Sequence, residues 1–327
     1  MNMGLPWSSL ASAISNIKMD HQAAYFLQQF LNAAQLASFY MPLAAAFALI
    51  QAITRRVFLS FGDFAMFGSF AAVYVCFGRL LQGDDDLTAA LIALVVAMIC
   101  AGALGQVAAR QVFAPLIKGS ALPFMIASLG FSITLQELMR LTSGGRDIWI
   151  PPLFRGEAYH LVQGEFPVIF TLNNFIAMAI SVSSMVALWL LLRRTQFGRN
   201  WSAVSQNEKL AMLCGIHTTR VIELTFVFGA ALAAVSGWTT AITYGGTNFF
   251  VGTMLGFKAM FAAVVGGFGS LRGAILGAIS LATLEVVWSA TFGTAYRDAG
   301  VFSIIIVILL LKPEGLGGDA THRESEA

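Results

Sequence analysis

The sequence predicts an all-α polytopic membrane protein: a transmembrane helical bundle of about eight to ten spans, with a short helix on the cytoplasmic side. Three observations predict it. Of 327 residues, 57% are hydrophobic and 11% charged, whereas a soluble domain carries about a quarter charged residues to cover its surface. The apolar residues gather into runs of the length needed to cross roughly 30 Å of hydrocarbon, about 20 residues of helix. Lys and Arg collect in alternate connections, as they do on the cytoplasmic side of a membrane protein.

The runs fall at 28–51, 57–78, 87–109, 121–142, 168–192, 221–243, 273–292 and 299–311. A further run, 256–267, is too short to span comfortably by itself. Residues 1–22 lack a continuous apolar stretch, so they read as an amphipathic or disordered lead-in rather than a cleaved signal. The membrane body is expected over 23–318, with a cytoplasmic tail at 319–327. The connection 193–220 holds Arg193, Arg194, Arg199, Lys209 and Arg220 against one acid, Glu208, which places it inside. Arg55, Arg56, Arg110 and Lys118 fall on the same side if the spans alternate, and Asp84, Asp85 and Asp86 on the other. The N-terminus is then outside and the tail from Lys312 inside. That parity needs an odd number of crossings: eight clear spans plus a short one at 256–267, or a hidden span elsewhere. The long external loop 143–167, with Pro151 and Pro152, reads as a solvated connector.

Several functions are excluded or disfavoured. A net charge of +2 gives no electrostatic case for nucleic acid. The stretch GTMLGFKA has the wrong spacing for a phosphate-binding loop, and neither H-E-x-x-H nor G-x-S-x-G occurs. The four histidines are scattered, so no enzyme, metal site or resident cofactor is expected. Cys76, Cys100 and Cys214 match no metal or disulfide spacing and read as buried free thiols.

In the basic connection, Trp201, Val204, Leu210 and Leu213 recur near helical spacing, and Gly215 then supplies a stop. The resulting helix either rests on lipid headgroups or docks a cytoplasmic partner. The stretch GRNWSAVSQNEKLAMLCGI resembles the cytoplasmic coupling loop of the branched-chain amino acid permease family of ABC importers, approximately G-R-a-x-R-A-x-A-x-D-x-x-x-A-x-x-x-G-I. Gly198, Arg199, Ala203, Ala211, Gly215 and Ile216 match as they stand; Ser202, Ser205 and Asn207 depart from the pattern, and Glu208 follows. The run RVIELTFVFGAALAAVSG, rich in small residues that let helices approach closely, is similar to the family's next span. GFKAMFAAVVGGFGSLRGAILGA and LKPEGLGG resemble two further family segments, so the resemblance covers about 190 to 318.

The amino-terminal half resembles the family more loosely. FLSFGDFAMFGSF stands where the family has N-x-A-H-G-E-F-x-M-x-G-A-Y: Gly62, Phe64, Met66 and Gly68 agree, Asp63 replaces a glutamate, and Phe58 and Phe61 replace the asparagine and histidine. If those polar groups shape the path in relatives, this path is more apolar. Asp63 is either a functional acid inside a span or a carboxylate near the cytoplasmic end, paired with Arg55 or Arg56 or simply wetted. Glu137 and Arg140 read as a helix-end ion pair, and Glu285, within the 273–292 span, has two open readings, facing a polar interior or not. In the glycine-rich break 266–277, Gly266, Gly267 and Gly269 interrupt a run too short to span and are expected to mark a break where backbone lines a cavity. Gly269, Gly273 and Gly277 repeat every four residues as a packing face, and Arg272 marks the inside.

The resemblance implies a permease subunit of an ABC importer for branched-chain or related amino acids in the inner membrane. It implies cytoplasmic ATPase subunits carrying ATP and Mg, a second permease subunit and a periplasmic substrate-binding protein, with the lipid bilayer around them. The alternative is a self-contained secondary transporter or channel for a small polar solute, which also uses glycine-broken helices.

Overall fold

The computed structural model describes residues 21–83, 85–117, 119–150, 158–162, 168–267, 269–312 and 315. The lead-in up to residue 20, Pro151–Pro152, most of LKPEGLGG and the tail lie outside them. The described chain is a helical bundle. Helix α1 spans His21–Thr54 and α2 Phe61–Leu81; α3, Asp86–Ala108, runs through a π turn, Ala109–Phe113, into α4, Ala114–Ile117. Then come α5, Ala121–Thr142, α6, Leu172–Arg194, the short α7, Gln196–Gln206, and α8, Glu208–Leu213. Helices α9, Thr218–Tyr244, α10, Val251–Gly266, α11, Leu271–Phe292, and α12, Arg297–Leu311, complete the body.

Seven of these segments are long and apolar enough to cross a membrane; α10 and α12 are shorter. Apolar residues all round a helix mean burial or lipid contact rather than a polar face. Here α1 and α9 are the inner staves, buried over 83% and 72% of their apolar windows, while α6 is buried over only 17%. The outer helices therefore present Leu, Ile and Val outward, which water would penalise and lipid would not.

Alanine and glycine set the packing. Gly105 and Gly102 of α3 lie against Phe226, Val227 and Ala230 of α9. Gly68 of α2 meets Ala234, and a side chain at Gly237 would overlap the backbone of Ala65. Such contacts bring backbones close where dispersion, not the hydrophobic effect, holds helices together. Around them Phe58 is fully buried and touches Phe64, Phe113, Phe124 and Phe226. Phe58 is thus a core residue, and its replacement of a polar family residue consolidates packing rather than lining a path.

Two helices start deep inside the bundle. Phe58, just ahead of α2, packs on Phe226, and Ala65 abuts Gly237. Gly237 is about 28 Å along α9 from its start at the 1.5 Å rise of an α-helix, so α2 begins well within the apolar thickness. Helix α10 begins at the same depth, with Gly252 against Gly62 and Met66. The segment before α10 dips into the bundle, which lets a run of 16 residues complete a crossing that it could not make alone.

The described parts of the 143–167 connector, 143–150 and 158–162, are less free than expected. Ile148–Trp149 (β1) pairs with Gly246–Thr247 (β4), tying the end of α5 to the end of α9. Ala158–Val162 (β2) pairs with Val168–Thr171 (β3), so α6 starts at Leu172 rather than at 168. The ladder satisfies backbone groups that a solvated loop would leave to water.

Candidate translocation cavity and coupling elbow

Asp63 lies in the first turn of α2 and is 2% exposed. It is not paired with Arg55 or Arg56. Arg55 donates to the carbonyls of Ser205 and Gln206. Arg56 donates to the carbonyls of Leu116, Ile117, Gly119 and Ser120, closing the end of α4. Both arginines are consumed by carbonyls left without helical partners. The Asp63 carboxylate instead accepts from Gln136 Nε2 of α5 at 2.9 Å. The same amide lies 3.0 Å from Ser132 Oγ and 2.8 Å from Thr253 Oγ1 of α10. Three helices meet at one amide. The positive end of the α2 dipole falls on the Asp63 carboxylate and offsets part of its desolvation.

Beside this cluster is a cavity of about 70 Å³, lined by Asp63, Ser132 and Thr253 and by the apolar Leu59, Phe61, Leu129, Phe257 and Met260. Leu129 and Phe257, on its rim, are 47% and 45% exposed. The exposure of these two residues marks the open side of the cavity, between α5 and α10.

Glu285 does face a polar interior. It is 1% exposed, accepts from the Tyr40 hydroxyl at 3.1 and 3.2 Å, and lies 3.0 Å from Lys258 Nζ. Lys258 also reaches Asp298 at 2.9 Å, and Arg297 Nε lies 3.8 Å from Glu285. Two cations and two carboxylates from α10, α11 and α12 cancel in charge, so the cluster avoids the cost of a lone buried ion. Sequence reading missed Lys258; the signal was one lysine in an otherwise apolar run, which demands an internal partner. Glu137 and Arg140 form the expected pair at 2.8 Å on the exposed end of α5.

The glycine-rich break divides into two kinds of residue. Gly266 and Gly273 face each other, each so close that a side chain on one would overlap the other's carbonyl, and Gly277 lies against the Ala262 carbonyl. These weld α10 to α11. Gly269 does not belong to that face. It precedes α11 in the left-handed region at φ +75°, and an added Cβ would meet nothing nearer than Ala52 Cα at 3.9 Å. Its spacing matched the packing repeat, but its position before the helix gives it a turn role. Gly267, also at positive φ, caps α10. Arg272 is exposed in the first turn of α11.

The basic connection folds as two helices rather than one. Thr195 caps α7 through its Oγ1 and the Gly198 N–H, and Gly198 sits tightly on the backbone of Leu192. Asn207 breaks the chain and caps α8, its Oδ1 accepting from Leu210 N–H at 3.2 Å. An acidic residue in the family pattern and the asparagine here can both fill that N-cap role. Gly215, at φ +81°, closes α8 with bonds from its own N–H to Met212 and from Ile216 N–H to Ala211, a Schellman ending. Trp201 donates to the Leu49 carbonyl, and Val204 and Ala211 are buried. Leu210 and Leu213 leave that buried stripe, 59% and 83% exposed. Ala203 is half-buried, Arg199 exposed, and Glu208 half-buried in the first turn of α8. Cys214 is exposed as well, unlike Cys76, so only part of the buried-thiol expectation holds.

Apolar helices stacked around a half-open, largely apolar cavity that holds a buried carboxylate, with an amphipathic elbow at one end, define a multi-pass membrane protein of the permease kind. Residues 29–311 match the family model described as branched-chain amino acid transport system / permease component, and the chain belongs to that family. It is similar to the high-affinity branched-chain amino acid transport system permease protein LivH of Escherichia coli strain K12, at 35% identity over 92% of this chain and 98% of that one. The corresponding BraD of Pseudomonas aeruginosa is 31% identical over 90% of this chain and 96% of its own. An autoinducer 2 import system permease protein, LsrC of Salmonella paratyphi B, is 30% identical over 75% of this chain and 66% of its own.

Proposed function

We propose that this chain is the membrane-spanning permease subunit of an ABC importer, passing branched-chain or related small amino acids through the inner membrane by alternating access. The observation that carries the reading is similarity over about nine-tenths of the chain to LivH and BraD, both named as permease proteins of high-affinity branched-chain amino acid transport systems, on a chain with a formed elbow. ATP and Mg belong to cytoplasmic ATPase subunits, which dock on α7 and α8. Leu210, Met212 and Leu213 give that surface exposed apolar contacts, and Arg199 and Lys209 give it charge. Gly198, Asn207 and Gly215 fix the shape of the elbow, so force applied there reaches α6 and α9.

A periplasmic binding protein delivers the solute to the opposite end, and a second permease subunit covers the open side of the Asp63 cavity. The test is uptake into proteoliposomes holding the whole complex. Leucine accumulation that needs ATP and the binding protein supports the reading. Uptake driven by an ion gradient with this chain alone overturns it.

A further inference from the structure

We infer that the cavity between α2, α5 and α10 binds the primary ammonium group of the transported solute, with Asp63 as its counter-ion. The proposal rests on the importer reading above and adds the substrate contact. Asp63 has only neutral side-chain partners among the described residues, since Arg55 and Arg56 are spent on backbone carbonyls. A carboxylate held inside an apolar body without a cation is expensive. The helix end offsets only part of that cost, and a transient cation would relieve the rest.

The surroundings fit an ammonium better than a proton or a bare metal ion. An ammonium has three donors. Asp63 supplies a carboxylate, while Ser132 Oγ and Thr253 Oγ1 line the same cavity; all three oxygens now surround the Gln136 amide, whose place among them an entering ammonium would take. They come from three helices, so a bound cation would draw α2, α5 and α10 together. The remaining lining is Leu59, Phe61, Leu129, Phe257 and Met260, suited to an aliphatic side chain attached to that ammonium. The accessible space of about 70 Å³ takes the ammonium and its first carbons; the rest of the solute occupies the open side. Gly62, Gly252 and Gly256 keep the α2 and α10 backbones in contact beside the cavity, so motion of α10 would change its width.

The complete importer is reconstituted for two measurements, the KM for L-leucine uptake and equilibrium binding of radiolabelled 3-methylbutylamine, which carries the ammonium without the carboxylate. Asp63→Asn, close in shape, should raise the leucine KM and weaken amine binding ten- to hundred-fold, the scale expected when a charge-assisted bond is lost. Asp63→Glu should restore part of both. Thr253→Val, which keeps the charge, should weaken both less; it reads the same site if Asp63→Asn does not fold.

Unchanged KM and amine affinity in Asp63→Asn overturn the inference while leaving the importer reading intact. Amine binding that depends on Asp63 in a complex that takes up no leucine overturns the importer reading and keeps the cavity. Displacement of the amine by sodium but not by choline marks a metal-cation site and overturns the ammonium assignment.

Discussion

Lys258 Nζ lies 3.0 Å from Glu285 Oε1, joining α10 to α11 in a part of the bundle where both side chains are nearly inaccessible. Tyr40, Arg297 and Asp298 complete the cluster. The pair lets the short α10 and α12 pack as if apolar, since its members cancel one another inside the bundle.

Removing one partner should therefore hurt more than removing both. Lys258→Met leaves Glu285 and Asp298 to share Arg297 in place of two cations and should cost about 3 kcal/mol, the scale for breaking a buried pair. Lys258→Met with Glu285→Leu should recover much of that loss. Thermal unfolding of the detergent-solubilised protein reads the difference; equal losses in the single and double variants would show that the ion pair is not the source.

The glycines of the α10–α11 turn should separate by mechanism. Gly273→Ala places a methyl into the Gly266 carbonyl and should abolish stable expression. Gly269→Ala makes only an ordinary contact with Ala52 and suffers the left-handed conformation, about 1–2 kcal/mol, so it should fold and transport. Membrane yield and uptake of the two variants check the contrast.

Arg56 spans four carbonyls at the end of α4. Lysine carries one ammonium in place of a planar fork of five donors. Arg56→Lys should therefore lower the melting temperature nearly as far as Arg56→Ala, whereas a purely electrostatic role would let lysine rescue.

The elbow predictions concern coupling. Asn207→Ala removes the cap of α8, worth about 1 kcal/mol, and should reduce transport per ATP hydrolysed while leaving expression unchanged. Ala211 is buried beneath α8, so Ala211→Trp should lift that helix and uncouple hydrolysis from uptake. Gly215→Leu meets no neighbour but carries the strain of φ +81°, and should show a milder form of the same defect. Normal coupling in all three would remove α7–α8 from the docking role.

The sequence by itself determined the membrane class, the approximate spans, the basic elbow with its terminal glycine, and the family. These follow from local composition and spacing: hydrocarbon thickness fixes run length, and a helix stop needs one residue able to take positive φ. Tertiary structure decided which charges meet. Asp63 lies close in sequence to Arg55 and Arg56, yet those guanidiniums fold onto α4 and the elbow, and Asp63 finds Gln136 on α5. Lys258 and Glu285 are apart in the chain and adjacent in the bundle. The glycines at 269 and 273 share one spacing and differ only in where the helix begins. Pairings of that kind depend on how helices register across the core, and packing, rather than the order of residues along one helix, sets that register.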